Sequence, residues 1–174
     1  MRELETQRLR LRYITEEDTQ QIFSCWASDP EVAKYVTWKA HRTIDDTREI
    51  MHYWLDEYKK PDRYRYGIEL KTDGTLIGMI DVVGFHNGAP VVGYCMGRAY
   101  WGNGYMTEAL GAVVKELFEN SFDTIVIEAV ADNIASNKVI LKNGFKLVAE
   151  REDALSPQKP DEKVKINSYR LYKQ

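Results

Sequence analysis

The segment running from Ala99 through Gly102, Asn103 and Gly104 to Ala109 constrains this chain more than any other, because it joins a strand end to a helix through a glycine-spaced turn. Val91 to Met96 reads as a strand, and Met106, Ala109, Leu110, Val113, Val114, Leu117 and Phe118 then recur at helical spacing. The first turn of such a helix points unpaired N–H groups at the loop, and the positive end of the helix dipole adds to them. Glycines let an anion approach the backbone closely, so the turn suits a phosphate and above all a pyrophosphate. A lone Gly-x-Gly turn is weakly specific, so the rest of the chain must decide what it serves.

A second strand-to-helix unit follows, with the β-branched run Thr124 to Val130 and then the segment Asp132 to Phe145. Asn133 suits an N-cap and Gly144 suits the left-handed residue that closes a helix. At the start, Arg8-Leu9-Arg10-Leu11-Arg12-Tyr13 alternates basic with apolar residues, the period of a half-buried strand.

Between these landmarks, Thr15 and Asp18 resemble a capping box ahead of Ile22, Phe23 and Trp26, in a helix that Asp29-Pro30 is expected to end. Thr43 and Asp46 start a second helix carrying Met51, Trp54, Leu55 and Tyr58. Tyr64 to Leu70 and Leu76 to Phe85 form a hairpin about Asp73-Gly74, and Asn87-Gly88 turns the chain again. The C-terminal third predicts a strand over Phe145 to Arg151, a polar loop through Ser156 to Lys163 and a last strand over Lys165 to Tyr172. The order β-α-α-β-β-β-α-β-α-β-β predicts an α/β mixed sheet flanked by helices.

The 174 residues fit one domain over 1–174. With 24 basic and 27 acidic residues, the net charge of −3 lacks the basic excess of a nucleic-acid binder. Cys25 and Cys95 have neither the spacing nor the partners of a zinc site or a disulfide framework, and His41, His52 and His86 are scattered, so no metal is expected. The charged N-terminus lacks the apolar core of a signal peptide, and no apolar run approaches membrane-spanning length. A cytoplasmic protein without a membrane partner is expected.

In order, "ETQRLRLR", "GYCMGRAYWGNGYMTEAL" and "DNIASNKVILKNGF" resemble the GNAT superfamily of N-acetyltransferases, in the branch that acetylates the N-termini of ribosomal proteins. The resemblance covers nearly the whole chain. It implies a central, mostly antiparallel sheet with splayed fourth and fifth strands flanked by about four helices, acetyl-CoA as cosubstrate, and an amine acceptor. It further implies that Gly102, Asn103, Gly104, Tyr105 and Met106 form the pyrophosphate loop, with Arg98 as an extra contact. Tyr94, Cys95, Met96 and Gly97 would bond the pantetheine arm along the splayed strand, with the Met96 N–H polarising the thioester carbonyl. Family members are often dimers, and the residues neither require nor forbid a homodimer.

Direct acetyl transfer needs a held thioester, a neutral amine, oxyanion donors and a proton for the thiolate. In the family pattern Asn133 bonds the pantetheine and Ser136 relays that proton; the same two residues also make sense as helix-capping chemistry alone. Glu69, Asp81, Glu128 and Glu150 are the candidate bases, with Asp81, which interrupts an apolar run, and Glu150 preferred. Tyr35 and Trp38, with His41 nearby, lie in the irregular stretch that the family uses to cover the acceptor. The leading expectation is acetylation of a protein N-terminal α-amine. The alternatives are a small-molecule amine such as a polyamine or antibiotic, and a non-catalytic acyl-CoA-binding module. A dinucleotide binder fits poorly, because G-x-G-x-x-G spacing and an acidic ribose partner are absent.

Overall fold

The alternation at the N-terminus folds as read: in β2 (Leu9–Arg12) the side chains of Leu9 and Leu11 are fully buried while Arg10 is exposed. A two-residue strand, β1 (Leu4–Glu5), pairs outside it. The computed structural model describes residues 1–60, 63–156 and 159–174, and the backbone alone of 153–156 and 159–161. From β2 the sheet continues antiparallel through β3 (Arg65–Leu70), β4 (Leu76–His86) and β5 (Ala89–Met96). The β4–β5 turn is Asn87-Gly88, with φ of 51° and 81°, the left-handed pair that a two-residue hairpin demands.

Residues 76–82 of β4 are buried without alternation, because packed side chains cover the sheet on both faces. Ile80 and Val82 join Leu110, Val113 and Leu117 on one side. Met79 joins Trp26 and Met51 on the other.

The first helical region differs from the expectation. Asp18 accepts from the Thr15 N–H at 2.8 Å, as the capping box requires, and α1 (Thr19–Ile22) follows. The chain then widens into a π turn over Phe23–Ala27. Asp29-Pro30 does not simply end a helix: Asp29 Oδ1 accepts from the Glu31 N–H at 2.9 Å and opens α2 (Pro30–Ala33). Proline at the first helical position loses no hydrogen bond and brings a preset φ. The second expected helix is α3 (Ile44–Glu57), capped by Thr43 and Asp46.

After β5 come α4 (Tyr105–Glu119), β6 (Thr124–Val130), α5 (Ile134–Lys142), β7 (Lys146–Ser156) and β8 (Lys159–Tyr172). The strand order is β1-β2-β3-β4-β5-β6-β8-β7, antiparallel except for β5 against β6. β7 and β8 run further than read from the sequence, because Lys163 and Val164 stay paired past a register shift between Arg151 and Ala154. Of the expected polar loop, 157–158 lie outside the described residues. The mixed, mostly antiparallel sheet with flanking helices matches the expected class. Among the described residues no helix is long and apolar enough to cross a membrane.

Candidate active site

β5 and β6 pair through Val91 with Val126 and Val92 with Ile127, and beyond those pairs they separate. The Gly97 N–H donates to Ile77 O at 2.9 Å, in register with Met79 opposite Cys95 and Ile80 opposite Tyr94. Amides of an antiparallel strand alternate between its two sides. Those of Cys95 and Gly97 therefore face β4, whereas those of Tyr94 and Met96 face the gap that β6 has left. The Met96 carbonyl, on the same side, accepts from Trp101 Nε1 at 2.8 Å, which ties the strand end to the glycine turn. Gly97 permits a close approach: a Cβ there would lie 2.5 Å from Cys25 Sγ in the π turn.

Gly102 and Gly104 both have φ of 78°. A Cβ on Gly102 would have open space around it, so the conformation and not crowding selects glycine there. Gly104 is the N-cap of α4 and offers no side-chain cap, leaving the first amides of the helix for another acceptor. Asn103 Nδ2 donates to the carbonyls of Tyr100 at 3.2 Å and Trp101 at 3.1 Å, stitching the turn from behind.

The opposite wall is the start of α5. Asn133 Oδ1 accepts from the Ser136 N–H at 3.2 Å, and Ser136 Oγ lies 2.9 Å from the Tyr94 hydroxyl. Burial pushes the Tyr94 phenol up to about 12, so it stays protonated, in spite of the opposing effect of the Ser136 bond. Beneath them, the buried Asn137 amide donates to the carbonyls of Val130, Ala131 and Asn133 and accepts from Tyr169 at 2.6 Å and Asn167 at 3.0 Å. Asn137 therefore fixes the β6–α5 turn that presents Ser136.

These walls enclose a cleft of about 440 Å³. Of the residues singled out in the sequence, Tyr94, Cys95, Met96, Gly102, Gly104, Tyr105, Met106, Asn133, Ser136 and Tyr35 line it. Sequence reasoning missed Glu31, Thr107, Lys138 and Lys142, which also line it. Lys138 and Lys142 follow Ser136 on α5 and bring positive charge to an anion-ready wall. Burial pushes the Cys95 thiol up to about 12, which denies the cleft a thiolate nucleophile.

Other candidates sit elsewhere. Gly97 and Asn103 support the walls without lining them. Arg98 pairs with Asp29 at 3.1 Å. Trp38 packs with the cluster beneath α1–α3, 5.8 Å from the His41 ring, and does not line the cleft as expected; on an aperiodic segment its direction follows from packing alone. Asp81 corrects the preferred base: it is buried, bonded to Arg65 at 2.6 Å, and outside the cleft. Burial raises its carboxyl above the usual range against the pull of Arg65 and Arg63. Glu150 is likewise outside, paired with Lys165 at 2.8 Å. Glu69 is held by Arg10 and Arg12, and Glu128 by Arg151. Among the described residues Glu31 is the one carboxylate that lines the cleft.

A family model for the acetyltransferase (GNAT) domain matches residues 8–146. The chain belongs to the GNAT acetyltransferase family. It is 34% identical over 148 residues to the uncharacterized N-acetyltransferase YoaA of Bacillus subtilis (strain 168), a match spanning 82% of this chain and 81% of that one. The solved structure of a GNAT-family acetyltransferase from Bacillus anthracis superposes with a TM-score of 0.86 at 21% identity over 98% of both chains. RimL, a ribosomal L7/L12 alpha-N-protein acetyltransferase in complex with coenzyme A, superposes with a TM-score of 0.86 at 18% identity, also over 98% of both. At such identities the solved structures speak to the fold, and it is the GNAT fold. Membership in the family makes the chain an acetyl-CoA-dependent N-acetyltransferase.

Proposed function

We propose that the cleft holds acetyl-CoA along β5 and the glycine turn, and that the acceptor is the α-amine of a protein N-terminus. The observation that carries the reading is the convergence at the parting of β5 and β6: outward-facing Tyr94 and Met96 amides on one wall, and Ser136 bonded to Tyr94 on the other. The first amides of α4 and the unhindered backbone of Gly102 and Gly104 take the pyrophosphate, with Lys138 and Lys142 adding charge. The pantetheine then follows β5, with Asn133 and the Tyr94 amide within its path.

The amine nitrogen attacks the thioester carbon, forming the C–N bond as the C–S bond breaks. The Met96 N–H stabilises the oxyanion of the tetrahedral intermediate. Ser136 delivers a proton to the departing thiolate, and the Tyr94 hydroxyl keeps Ser136 oriented and can replace its proton. The proton shed by the ammonium passes through water to Glu31, the carboxylate in the cleft. With the Cys95 thiol held protonated, direct transfer is favoured over an acyl-cysteine.

The choice of acceptor rests on charge. A polycationic acceptor such as a polyamine calls for several carboxylates, whereas Glu31 is the single one lining the described cleft, opposite two lysines. The likeness in fold to RimL points the same way. The test is thiol release from acetyl-CoA with peptides bearing free or blocked α-amines, beside polyamines and aminoglycosides. Turnover confined to free α-amines supports the reading, and turnover confined to polyamines or aminoglycosides overturns it.

A further inference from the structure

We infer that Arg8 is a positioning residue for the pyrophosphate turn, holding its backbone in place from behind and cancelling the charge of Glu108 beside the anion site. The inference rests on the acetyl-CoA reading of that turn. Arg10 and Arg12, on the same face of β2, turn to Glu69. Arg8 turns the other way. Its Nη1 donates to Asn103 O at 2.9 Å, its Nε to Glu108 Oε2 at 2.7 Å, and its guanidinium lies 4.4 Å from the centre of the Tyr105 ring. Three points of the turn and the first helical turn are thus fixed by one planar group.

Glu108 is tied to the same segment. Its Oε1 accepts from the Thr6 hydroxyl at 2.6 Å and from the Arg8 N–H at 2.9 Å, while Thr6 Oγ1 also accepts from the Leu9 N–H at 3.0 Å. Burial alone would raise this carboxyl, and the bonds from Thr6 and Arg8 hold it below the usual range. A carboxylate in the first turn of α4 stabilises the helix but opposes a phosphate on the same amides. Arg8, sharing that carboxylate, removes the conflict. The motif Thr6-x-Arg8 with Glu108 therefore serves the cofactor although none of the three lines the cleft.

The test is calorimetric titration of acetyl-CoA into folded variants, with steady-state kcat and KM alongside. Arg8→Ala should weaken acetyl-CoA binding about tenfold, as expected for losing charge-assisted hydrogen bonds, with kcat at saturation within about twofold of wild type. Adding Glu108→Gln to Arg8→Ala should recover part of the affinity, because the uncompensated charge is gone. A purely structural pair would give the opposite, with the double variant binding no better than the single. Arg8→Lys keeps the charge without the planar fork and carries the test if Arg8→Ala does not fold; it should bind about threefold more weakly than wild type. Wild-type affinity in Arg8→Ala or Arg8→Lys, or no recovery in the double variant, overturns the inference. Failure of the wild type to bind acetyl-CoA overturns the reading of the cleft instead.

Discussion

Tyr94 on β5 and Ser136 on α5 meet across the parting of the sheet with their side-chain oxygens 2.9 Å apart. The pair makes the acid role separable from binding. Ser136→Ala should lower kcat on the order of 10²-fold, the lower range for a general acid, and leave acetyl-CoA affinity within about twofold. Tyr94→Phe keeps the ring packing and should lower kcat less, by about tenfold. Steady-state turnover with calorimetric affinities checks both, and unchanged kcat in Ser136→Ala removes the acid role.

Gly104 and Gly102 share one positive φ but not one environment. Valine at 104 would hold a β-branched residue at φ 78° with Arg8 Nη2 3.6 Å from its Cβ. The left-handed conformation alone costs about 1–2 kcal/mol. Gly104→Val should lower the melting temperature by about 2–8 °C and abolish the further stabilisation by acetyl-CoA. Gly102→Ala should show the smaller loss, because nothing lies within 4 Å of its added Cβ. Thermal melts with and without acetyl-CoA decide between them.

Asn137 predicts a stability effect with a catalytic echo. Asn137→Leu would take the side-chain amide from the Ala131 carbonyl and the Tyr169 hydroxyl, while the carbonyls of Val130 and Asn133 keep the N–H groups of Asn133 and Asn137. We expect a loss of about 3 kcal/mol, since each buried unsatisfied group costs about 1–3 kcal/mol and relaxation recovers part. Urea unfolding measures it. kcat should fall as well, because the displaced turn carries Ser136.

Acid should destabilise the fold through Glu57. Burial raises its carboxyl, yet the bonds from Arg65, Lys60 and Tyr53 and the charge of Arg63 bring it down to about 2. An unfolded glutamate titrates at about 4.3, so this contribution is complete above that pH and disappears as pH falls towards 2. Asp81, raised by burial, acts in the opposite direction and softens the loss. Melting temperature followed from pH 6 down to about 2 should fall less steeply in Glu57→Gln than in the wild type. An equal slope in the two proteins would place the acid sensitivity elsewhere.

The glycine turn, the Asn87-Gly88 hairpin and the alternating first strand were legible because each depends on local φ or on a period of two. The family resemblance followed from the same local segments. The base was not legible. Asp81 in an apolar run reads alike as an active-site carboxylate and as half of a buried ion pair, and only the fold brings Arg65 to 2.6 Å from it. Glu31 carried a usable signal, since Asp29-Pro30 is a helix opening as well as a helix stop, and the opening orients the residue that follows. Tyr35 faces the cleft while Trp38 packs inward, a distinction set by tertiary contacts in a segment without a period. Asn137 was overshadowed by its neighbour Ser136. A polar residue destined for the inner side of α5 announces itself only once Tyr169 is known to pack against it.

Among the described residues, β5 and β6 share two paired positions, Val91–Val126 and Val92–Ile127. The sheet is in effect two blades on a short pin. From Val92 to Met96 the free arm is about 13 Å long at the usual rise of a strand, so a swing of about 10° at the pin moves the mouth by about 2 Å. Such a swing leaves the ladders within each blade untouched. The width offered to a thioester is therefore set where the blades touch again, at the Tyr94–Ser136 bond and where Asn143 Nδ2, at the end of α5, donates to Thr107 O in α4 at 3.3 Å, so a residue remote from the chemistry can tune it.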